Sequence, residues 1–192
     1  MDIIIASNNE HKIKEINEIL DSSFSLISMA EAGINEDIPE NEDTLEGNAL
    51  QKARYIHRKT GLNVIADDTG LEVEALGGAP GVHSARYAGE DKDMEKNIDR
   101  LLKELEHHNN KKASFRTVVA LIFNNEEYLF EGIIKGKIKD KKRGTGGFGY
   151  DPVFMPLNEG LTFAEMPAAR KNMISHRAIA VNKLCEFLKK VR

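Results

Sequence analysis

The chain opens with a short apolar run, a polar turn and a helical repeat. Ile3-Ile4-Ile5-Ala6 is unbroken and apolar, as expected of a β-strand that is buried on both faces. Ser7-Asn8-Asn9 follows, and residues of these types cap helices with their side-chain oxygens. Ile13, Ile16 and Leu20 then recur at helical spacing. The N-terminus of this predicted helix offers unpaired N–H groups and a positive dipole end, which suit an anion such as phosphate.

A second helix and strand follow a segment that is rich in acids. Six of the eleven residues from 36 to 46 are acidic and none is basic. Thr44 is predicted to cap a helix that ends at Gly61, where a left-handed glycine closes the last turn. The apolar positions of this helix are Leu45, Ala49, Ala53 and Ile56. Val64-Ile65-Ala66 then indicates a second buried strand, which we expect to end at Asp67-Asp68.

The second half of the chain alternates between turn, helix and strand patterns. Gly77-Gly78-Ala79-Pro80-Gly81 predicts a turn or loop, and the apolar spacing over residues 91–106 predicts a helix. Two β-rich runs, residues 115–123 and 128–134, flank the polar residues 124–127 and predict an antiparallel hairpin. The last predicted helix carries one apolar stripe, made of Ile174, Ala178, Val181, Cys185 and Leu188. Strands interleaved with helices, together with a hairpin, predict an α/β fold with a mixed sheet.

Composition restricts the class of protein. The chain has 192 residues, a length that suits one domain with a sizeable core. Its 27 Lys and Arg against 31 Asp and Glu give a net charge of −4, which disfavours non-specific binding to nucleic acid. A single cysteine, Cys185, excludes an internal disulfide and is predicted to be a small core residue. With no signal-peptide pattern and no apolar run of about 18–20 residues, we expect a soluble, cytoplasmic protein without a membrane segment.

Residues Gly144-Thr145-Gly146-Gly147-Phe148-Gly149 match the spacing of a dinucleotide-binding loop but not its context. Such a loop must open a helix, whereas Tyr150-Asp151-Pro152 follows here, and proline keeps the preceding residue out of helical geometry. The dinucleotide interpretation is therefore disfavoured. Four glycines around one phenylalanine instead indicate a backbone that approaches another group closely.

Asp67-Asp68 is a candidate site for a metal ion. Adjacent strand residues point to opposite faces, so only one of the two carboxylates can face a given site. The acidic segment before Thr44 could bring a second carboxylate beside it. Two carboxylates, waters and phosphate oxygens form the hard-oxygen environment that Mg²⁺ prefers.

His176 is the histidine whose position the pattern restricts most. Counted from Ile174 on a continuous helix, it lies about 200° away from the apolar stripe at ~100° per residue. We therefore predict that it is not a core residue, which leaves the surface or a functional site. The pair His107-His108 ends a polar helix and is predicted to be solvated.

Four segments that bear such candidate residues occur in order between residues 7 and 177. They are Ser7-Asn8-Asn9-Glu10-His11-Lys12, Asp67-Asp68-Thr69-Gly70-Leu71, Gly77-Gly78-Ala79-Pro80-Gly81 with Ser84-Ala85-Arg86-Tyr87, and Gly146-Gly147-Phe148-Gly149-Tyr150-Asp151-Pro152 with Ser175-His176-Arg177. In this combination the sequence resembles the inosine triphosphate pyrophosphatase family, the non-standard purine NTP pyrophosphatases. Each motif alone is weak, whereas their ordered combination is specific.

The resemblance implies a Mg²⁺-dependent hydrolase that cleaves ITP, dITP and XTP to the monophosphate and pyrophosphate. It also implies a homodimer, and a single domain over residues 1–192 with an elongated two-lobed α/β fold. In such a fold the two lobes share a central mixed β-sheet flanked by helices, with a cleft between them.

The resemblance also implies roles for individual residues. Asp68 would bind the metal and accept the proton, and Glu40 would be the second metal ligand. Because three acids occur within four positions there, Glu42 is a rival to Glu40. The implied substrate-binding residues are Ser7, Asn8, Asn9, Glu10, His11, Lys12, Lys52, Thr69, Arg86, Phe148, Gly149, Tyr150, Asp151, Lys171, His176 and Arg177. The first six of these would hold the phosphates, while residues 148–151 with His176 and Arg177 would surround the purine.

Two other functions stay open at this point. One is a related pyrophosphatase that acts on pyrimidine or modified nucleotides, which the His176-Arg177 pair disfavours because its donors match the 6-oxo group of a deaminated purine. The other is a nucleotide-binding module without catalysis, which the Asp68 carboxylate disfavours because binding alone needs no base.

Overall fold

The computed structural model describes residues 2–20 and 24–191 of the chain. Its helices and strands follow the order β1 (Asp2–Ile5), α1 (Glu10–Ile19), β2 (Ser25–Ser28), α2 (Leu45–Thr60), β3 (Val64–Val73), β4 (Pro80–Gly81), α3 (Met94–Leu105), β5 (Lys112–Phe123), β6 (Glu126–Ile138), β7 (Phe154–Pro156), α4 (Ala168–Ile174) and α5 (His176–Lys190). Two single turns of 3₁₀ helix, Glu74–Leu76 and Ser84–Arg86, flank β4.

Seven strands within these described residues form one mixed sheet. Its order is β2-β1-β3-β5-β6-β7, and β4 pairs with β3. β1 runs parallel to β2 and to β3, whereas β7 is antiparallel to β6 and β4 is antiparallel to β3. Between β5 and β6, Asn124 and Asn125 both adopt left-handed backbone angles, which suits a tight two-residue hairpin. The predicted α/β class, the mixed sheet and the hairpin are therefore confirmed.

The helix ends are determined by the residues that the sequence marks as caps. Asn9 Oδ1 accepts a hydrogen bond from the Lys12 backbone N–H at 3.2 Å and begins α1. Thr44 Oγ1 accepts one from the Gly47 N–H at 3.0 Å and begins α2. Gly61 ends α2 with φ of 69°, a left-handed conformation that costs glycine little.

The chain divides into two compact units. The first unit takes in the residues up to Asp68, Thr117–Gly132 and the segment from Arg177 on, and the second takes in Thr69–Arg116 and Ile133–His176. Each unit has its own hydrophobic core, and β3, β5 and β6 contribute residues to both units. Cys185 is buried in the core of the first unit, as predicted.

Several predicted boundaries were wrong, including that of β6, which begins at Glu126 inside the predicted turn 124–127. Asp67-Asp68 lies inside β3 rather than at its end, because the strand continues through polar residues to pair with β4. Pro80-Gly81, predicted as turn, is that short pairing strand. The helix predicted from residue 91 begins at Met94, because Lys92 has a left-handed φ of 53° and Asp93 is the cap. β2 was not predicted, since Ser25–Ser28 contains only two apolar residues.

The predicted last helix is two helices rather than one. Ser175 is extended, with φ of −67° and ψ of 157°, and it separates α4 from α5. Ile174 therefore packs against the core of the second unit, whereas Val181 and Leu188 pack in the first. The angle between His176 and the apolar stripe holds only for a continuous helix, so it does not apply to this chain.

We expect Gly70→Ala to lower the free energy of unfolding by about 1–3 kcal/mol, the range for overpacking. A Cβ at Gly70 would lie 2.6 Å from the carbonyl oxygen of Gly81, which is backbone and cannot move aside alone. Urea unfolding measures the loss. Gly160→Ala is the matched control, because its Cβ would meet no atom within 4 Å. Equal stability of the two variants would contradict the close approach of β3 and β4.

Candidate functional site

Asp67 and Asp68, neighbours on β3, form ion pairs with different cations of the first unit. Asp67 Oδ2 lies 3.2 Å from Lys12 Nζ and 3.3 Å from Arg177 Nη2. Asp68 Oδ1 lies 3.6 Å from Lys52 Nζ. The alternation of side chains along the strand thus separates the two carboxylates into two sets of contacts, as the sequence predicts.

Asp68 belongs to a cluster that α2 helps to build. Its Oδ2 accepts a hydrogen bond from Asn48 Nδ2 at 3.1 Å, and Lys52, one helical turn after Asn48, also contacts Glu40 Oε1 at 2.6 Å. Burial alone would lower the pKa of Lys52, but the carboxylates of Asp68 and Glu40 outweigh it and raise that pKa above its ordinary value. Lys52 is therefore charged, and two carboxylates converge on one buried cation.

The convergence of Glu40 and Asp68 on Lys52 indicates where a metal ion could bind. Glu40 and Asp68 place carboxylate oxygens around one ammonium nitrogen, and oxygens so arranged are the hard ligands that Mg²⁺ takes. Over residues 2–20 and 24–191, no group of three or more His, Cys, Asp or Glu side chains is arranged to hold a metal. Mg²⁺ in phosphate sites commonly uses one or two carboxylates, completed by water and substrate oxygens, so the pair fits it. Glu42, the rival ligand, is exposed.

Asp67 lies at the centre of a second cluster. Burial alone would raise the pKa of Asp67, but the charges of Lys12 and Arg177 hold that pKa well below its ordinary value. Burial lowers the pKa of Lys12, and the Asp67 carboxylate opposes that effect. Arg177 Nη1 also forms an ion pair with Glu15 Oε2. The cluster thus combines two cations and two anions.

The segment expected to hold phosphates surrounds the start of α1. Ser7 Oγ accepts a hydrogen bond from the Asn9 backbone N–H at 3.2 Å. Asn8, Asn9, Glu10 and His11 are exposed, and Ser7 is half-buried. Lys12 forms an ion pair that directs its ammonium group to Asp67. An exposed helix N-terminus next to a lysine suits an anion, and phosphate binding by this segment stays a prediction.

In the second unit, Asp151 organises the glycine-rich segment. Asp151 Oδ2 accepts hydrogen bonds from the Phe148 backbone N–H at 2.8 Å and from Lys171 Nζ at 2.6 Å. Lys171 Nζ also lies 5.1 Å from the centre of the Phe148 ring. A Cβ at Gly147 would lie 2.0 Å from Asp151 Oδ2, and one at Gly144 would lie 2.4 Å from the Ala164 carbonyl oxygen. The close approaches that the glycines indicate are therefore to this carboxylate and to that stretch of backbone.

Tyr150, Arg86 and Thr69 are further predicted residues of the second unit. Tyr150 donates a hydrogen bond through its hydroxyl group to the Ser84 carbonyl at 2.8 Å, and burial raises the pKa of Tyr150. Ser84 Oγ accepts one from the Leu71 N–H at 2.8 Å. Arg86 follows in the same 3₁₀ turn and lies 3.6 Å from Glu90, while Thr69 is half-buried on β3.

The prediction that His176 is not a core residue was wrong. His176 is 3% exposed and its ring stacks on Phe115, with centroids 4.6 Å apart and planes 13° apart. The adjacent Arg177 belongs to the first unit, where its guanidinium group contacts Asp67 and Glu15. The two residues that sequence reasoning joined at the purine therefore have different surroundings.

Comparison with known proteins identifies the family of this chain. Residues 3–187 match the sequence model of the Ham1 family. The chain belongs to the Ham1 family. A dITP/XTP pyrophosphatase of Porphyromonas gingivalis is 54% identical over 97% of this chain and 96% of the relative. One of Flavobacterium johnsoniae is 50% identical over 98% of both chains. The structure of the Staphylococcus aureus Ham1 protein matches with a TM-score of 0.91 and 39% identity, over all of both chains.

Sequence reasoning missed Glu15 and Asn48 in this Ham1-family chain. A signal for Asn48 was present, because Asn48 and Lys52 occupy buried positions on the same stripe of α2 as Leu45, Ala49 and Ala53. Polar residues on an otherwise apolar stripe indicate a buried polar site. Glu15 follows Lys12 by three residues, which places both on one helix face, but its partner lies 162 residues away. None of the helices in the described ranges has the length and hydropathy to cross a membrane.

Proposed function

We propose that this protein is a nucleoside-triphosphate pyrophosphatase that hydrolyses ITP, dITP and XTP to the monophosphate and pyrophosphate. The observation that carries the proposal is the convergence of Glu40 and Asp68 on one buried cation, in a chain whose relatives are named dITP/XTP pyrophosphatases. In the cell this activity removes deaminated purines from the nucleotide pool. The homodimer and the cytoplasmic location stay predictions.

The triphosphate requires positive charge, and the first unit provides it. Lys12 and Lys52 carry ammonium groups, and the N-terminus of α1 adds exposed N–H groups with a positive dipole end. Because Asp67, Asp68 and Glu40 balance these cations before any ligand binds, the chain tolerates buried lysines. A protein with a net charge of −4 can thus bind a polyanion.

Glu40 and Asp68 would hold Mg²⁺. When bound, that ion neutralises phosphate charge and polarises the phosphorus–oxygen bond that breaks. Asp68 orients the attacking water and accepts its proton, and Asn48 holds the carboxylate through its amide group. Lys52, which contacts both carboxylates, would pair with a phosphate oxygen of the substrate.

Base recognition is assigned to the second unit. Phe148 offers an aromatic face, and the Asp151–Lys171 pair fixes its backbone. His176 stays the predicted donor to a 6-oxo group. The 6-amino group of adenine would place a hydrogen-bond donor against the donor of the protein. A buried donor left unpaired in this way costs about 1–3 kcal/mol. Thr69, Arg86, Gly149 and Tyr150 remain predicted substrate contacts, as does Arg177 of the first unit.

Pyrophosphate release from ITP, XTP, ATP, GTP and UTP at equal concentration tests the proposal. We expect kcat/KM for ITP and XTP to exceed that for ATP by about 10- to 100-fold, the factor that one or more unpaired donors produce. Activity should disappear with EDTA and return with Mg²⁺. Equal rates on all substrates, or release of single phosphate, would contradict the proposal. Preference for UTP would favour the pyrimidine alternative, and binding without turnover would favour a nucleotide-binding module.

A further inference from the structure

Glu15 is a largely buried acid of the first unit to which the proposed function assigns no role. It lies on α1, three residues after Lys12, and therefore on the same face of the helix. Its carboxylate pairs with Arg177 Nη1, and the two side chains are 13% and 1% exposed. A carboxylate that is mostly removed from water needs a cationic partner, and here Arg177 is that partner.

The pair is one link in a series of alternating charges. Arg177 directs Nη1 to Glu15 and directs Nη2 and Nε to Asp67 Oδ2, at 3.3 and 3.4 Å. Lys12 Nζ contacts the same oxygen, Asp67 Oδ2, at 3.2 Å. The guanidinium group is planar and rigid, so holding one nitrogen fixes where the others lie. The series Glu15–Arg177–Asp67–Lys12 thus joins α1, β3 and α5, and its charges sum to zero.

We propose that Glu15 is a positioning residue for polyphosphate binding, which fixes Lys12 by holding Arg177 against Asp67. The inference rests on the proposed function, since it gives Lys12 a polyphosphate to bind. Arg177 and Lys12 share one oxygen of Asp67, so a shift of the guanidinium group changes the room left for the ammonium group. Without the Glu15 carboxylate, Arg177 Nη1 loses the partner that holds it, so neither the guanidinium group on Asp67 Oδ2 nor Lys12 Nζ beside it stays fixed.

The test is Glu15→Gln, which keeps the size of the side chain and removes its charge. Titration of the full chain with inorganic tripolyphosphate, by calorimetry with and without Mg²⁺, measures phosphate binding without a base and without turnover. We expect the Kd to rise about tenfold, since a hydrogen bond to a charged group contributes enough binding energy for its loss to change affinity by that factor or more. KM for ITP should rise by a similar factor while kcat is unchanged, because Asp68 and Lys52 belong to the other cluster.

Two further variants make the result specific. Glu18→Gln is the matched control on the same helix, because Glu18 is 38% exposed and lies 4.0 Å from Lys14. Glu15→Asp retains the charge and is expected to recover most of the affinity. Circular dichroism and thermal unfolding establish that each variant is folded. If Glu15 only stabilised the fold, Glu15→Gln would lower Tm but would not raise KM while leaving kcat unchanged.

The outcomes separate this inference from the proposed function. If the wild type binds tripolyphosphate and hydrolyses ITP, and Glu15→Gln behaves like Glu18→Gln, the positioning role is overturned and the proposed function stands. Equal losses in Glu15→Gln and Glu15→Asp would also overturn it, because charge would not be what matters. If the wild type neither binds tripolyphosphate nor hydrolyses a nucleotide, both proposals fall.

Discussion

Replacing Asp68 by Asn is expected to lower kcat for ITP by about 10³-fold or more while leaving the fold intact. The change removes the proposed base, whose loss alone costs roughly 10²- to 10⁴-fold, and it removes one of two carboxylates proposed for the metal. The amide is isosteric, and its oxygen can still accept the hydrogen bond that Asn48 Nδ2 gives at 3.1 Å. Initial rates of pyrophosphate release, with circular dichroism for the fold, measure both effects.

Asp140→Asn is the matched control for this prediction. Asp140 is also an ion-paired aspartate, 3.1 Å from Lys111, but its side chain is 80% exposed and it lies in the second unit. Its rate should equal that of the wild type. Retention of more than about a tenth of the activity by Asp68→Asn would remove Asp68 from the role of proton acceptor, because general bases contribute at least ~10²-fold.

Local patterns predicted the parts of this fold that local physics determines. Asn9 and Thr44 begin helices because their side chains accept from N–H groups three residues on. Gly61 ends a helix because it adopts a left-handed conformation at little cost. The apolar run of β1 predicts a strand that is buried on both faces, and three of its four residues are buried. In each case the decisive interaction lies within a few residues.

Predictions that needed contacts across the chain were less successful. β3 continues through Asp67-Asp68 because distant cations compensate the buried carboxylates, which no window of sequence reveals. The break at Ser175 leaves His176 in the second unit, where it stacks on a phenylalanine 61 positions earlier. The partners of Arg177, Asp67 and Glu15, lie 110 and 162 residues away in sequence. Motifs can therefore name a site residue without showing what it contacts.

Asp67→Asn is expected to lower the free energy of unfolding at pH 7 by about 3–5 kcal/mol, the cost of removing one partner from a buried ion pair. The side chain of Asp67 is fully buried, and its loss leaves the charges of Lys12 and Arg177 close together, with Glu15 to balance them. Urea unfolding at pH 7 measures the loss. Asp99→Asn is the control, because Asp99 pairs with Lys142 at 2.7 Å with 67% of its side chain exposed. We expect the control to lose less than about 1 kcal/mol.

The stability that Asp67→Asn loses relative to the wild type should decrease as the pH falls. The pKa of Asp67 is held below its ordinary value of 3.8 in the folded chain. A carboxyl group with a lowered pKa stabilises the fold fully above the pKa of the unfolded chain, and that stabilisation disappears as pH falls towards the folded value. The difference between the wild type and Asp67→Asn should therefore be constant between pH 6 and 7 and shrink below about pH 4. A difference that grows on acidification would show that Asp67 is not held ionised by Lys12 and Arg177.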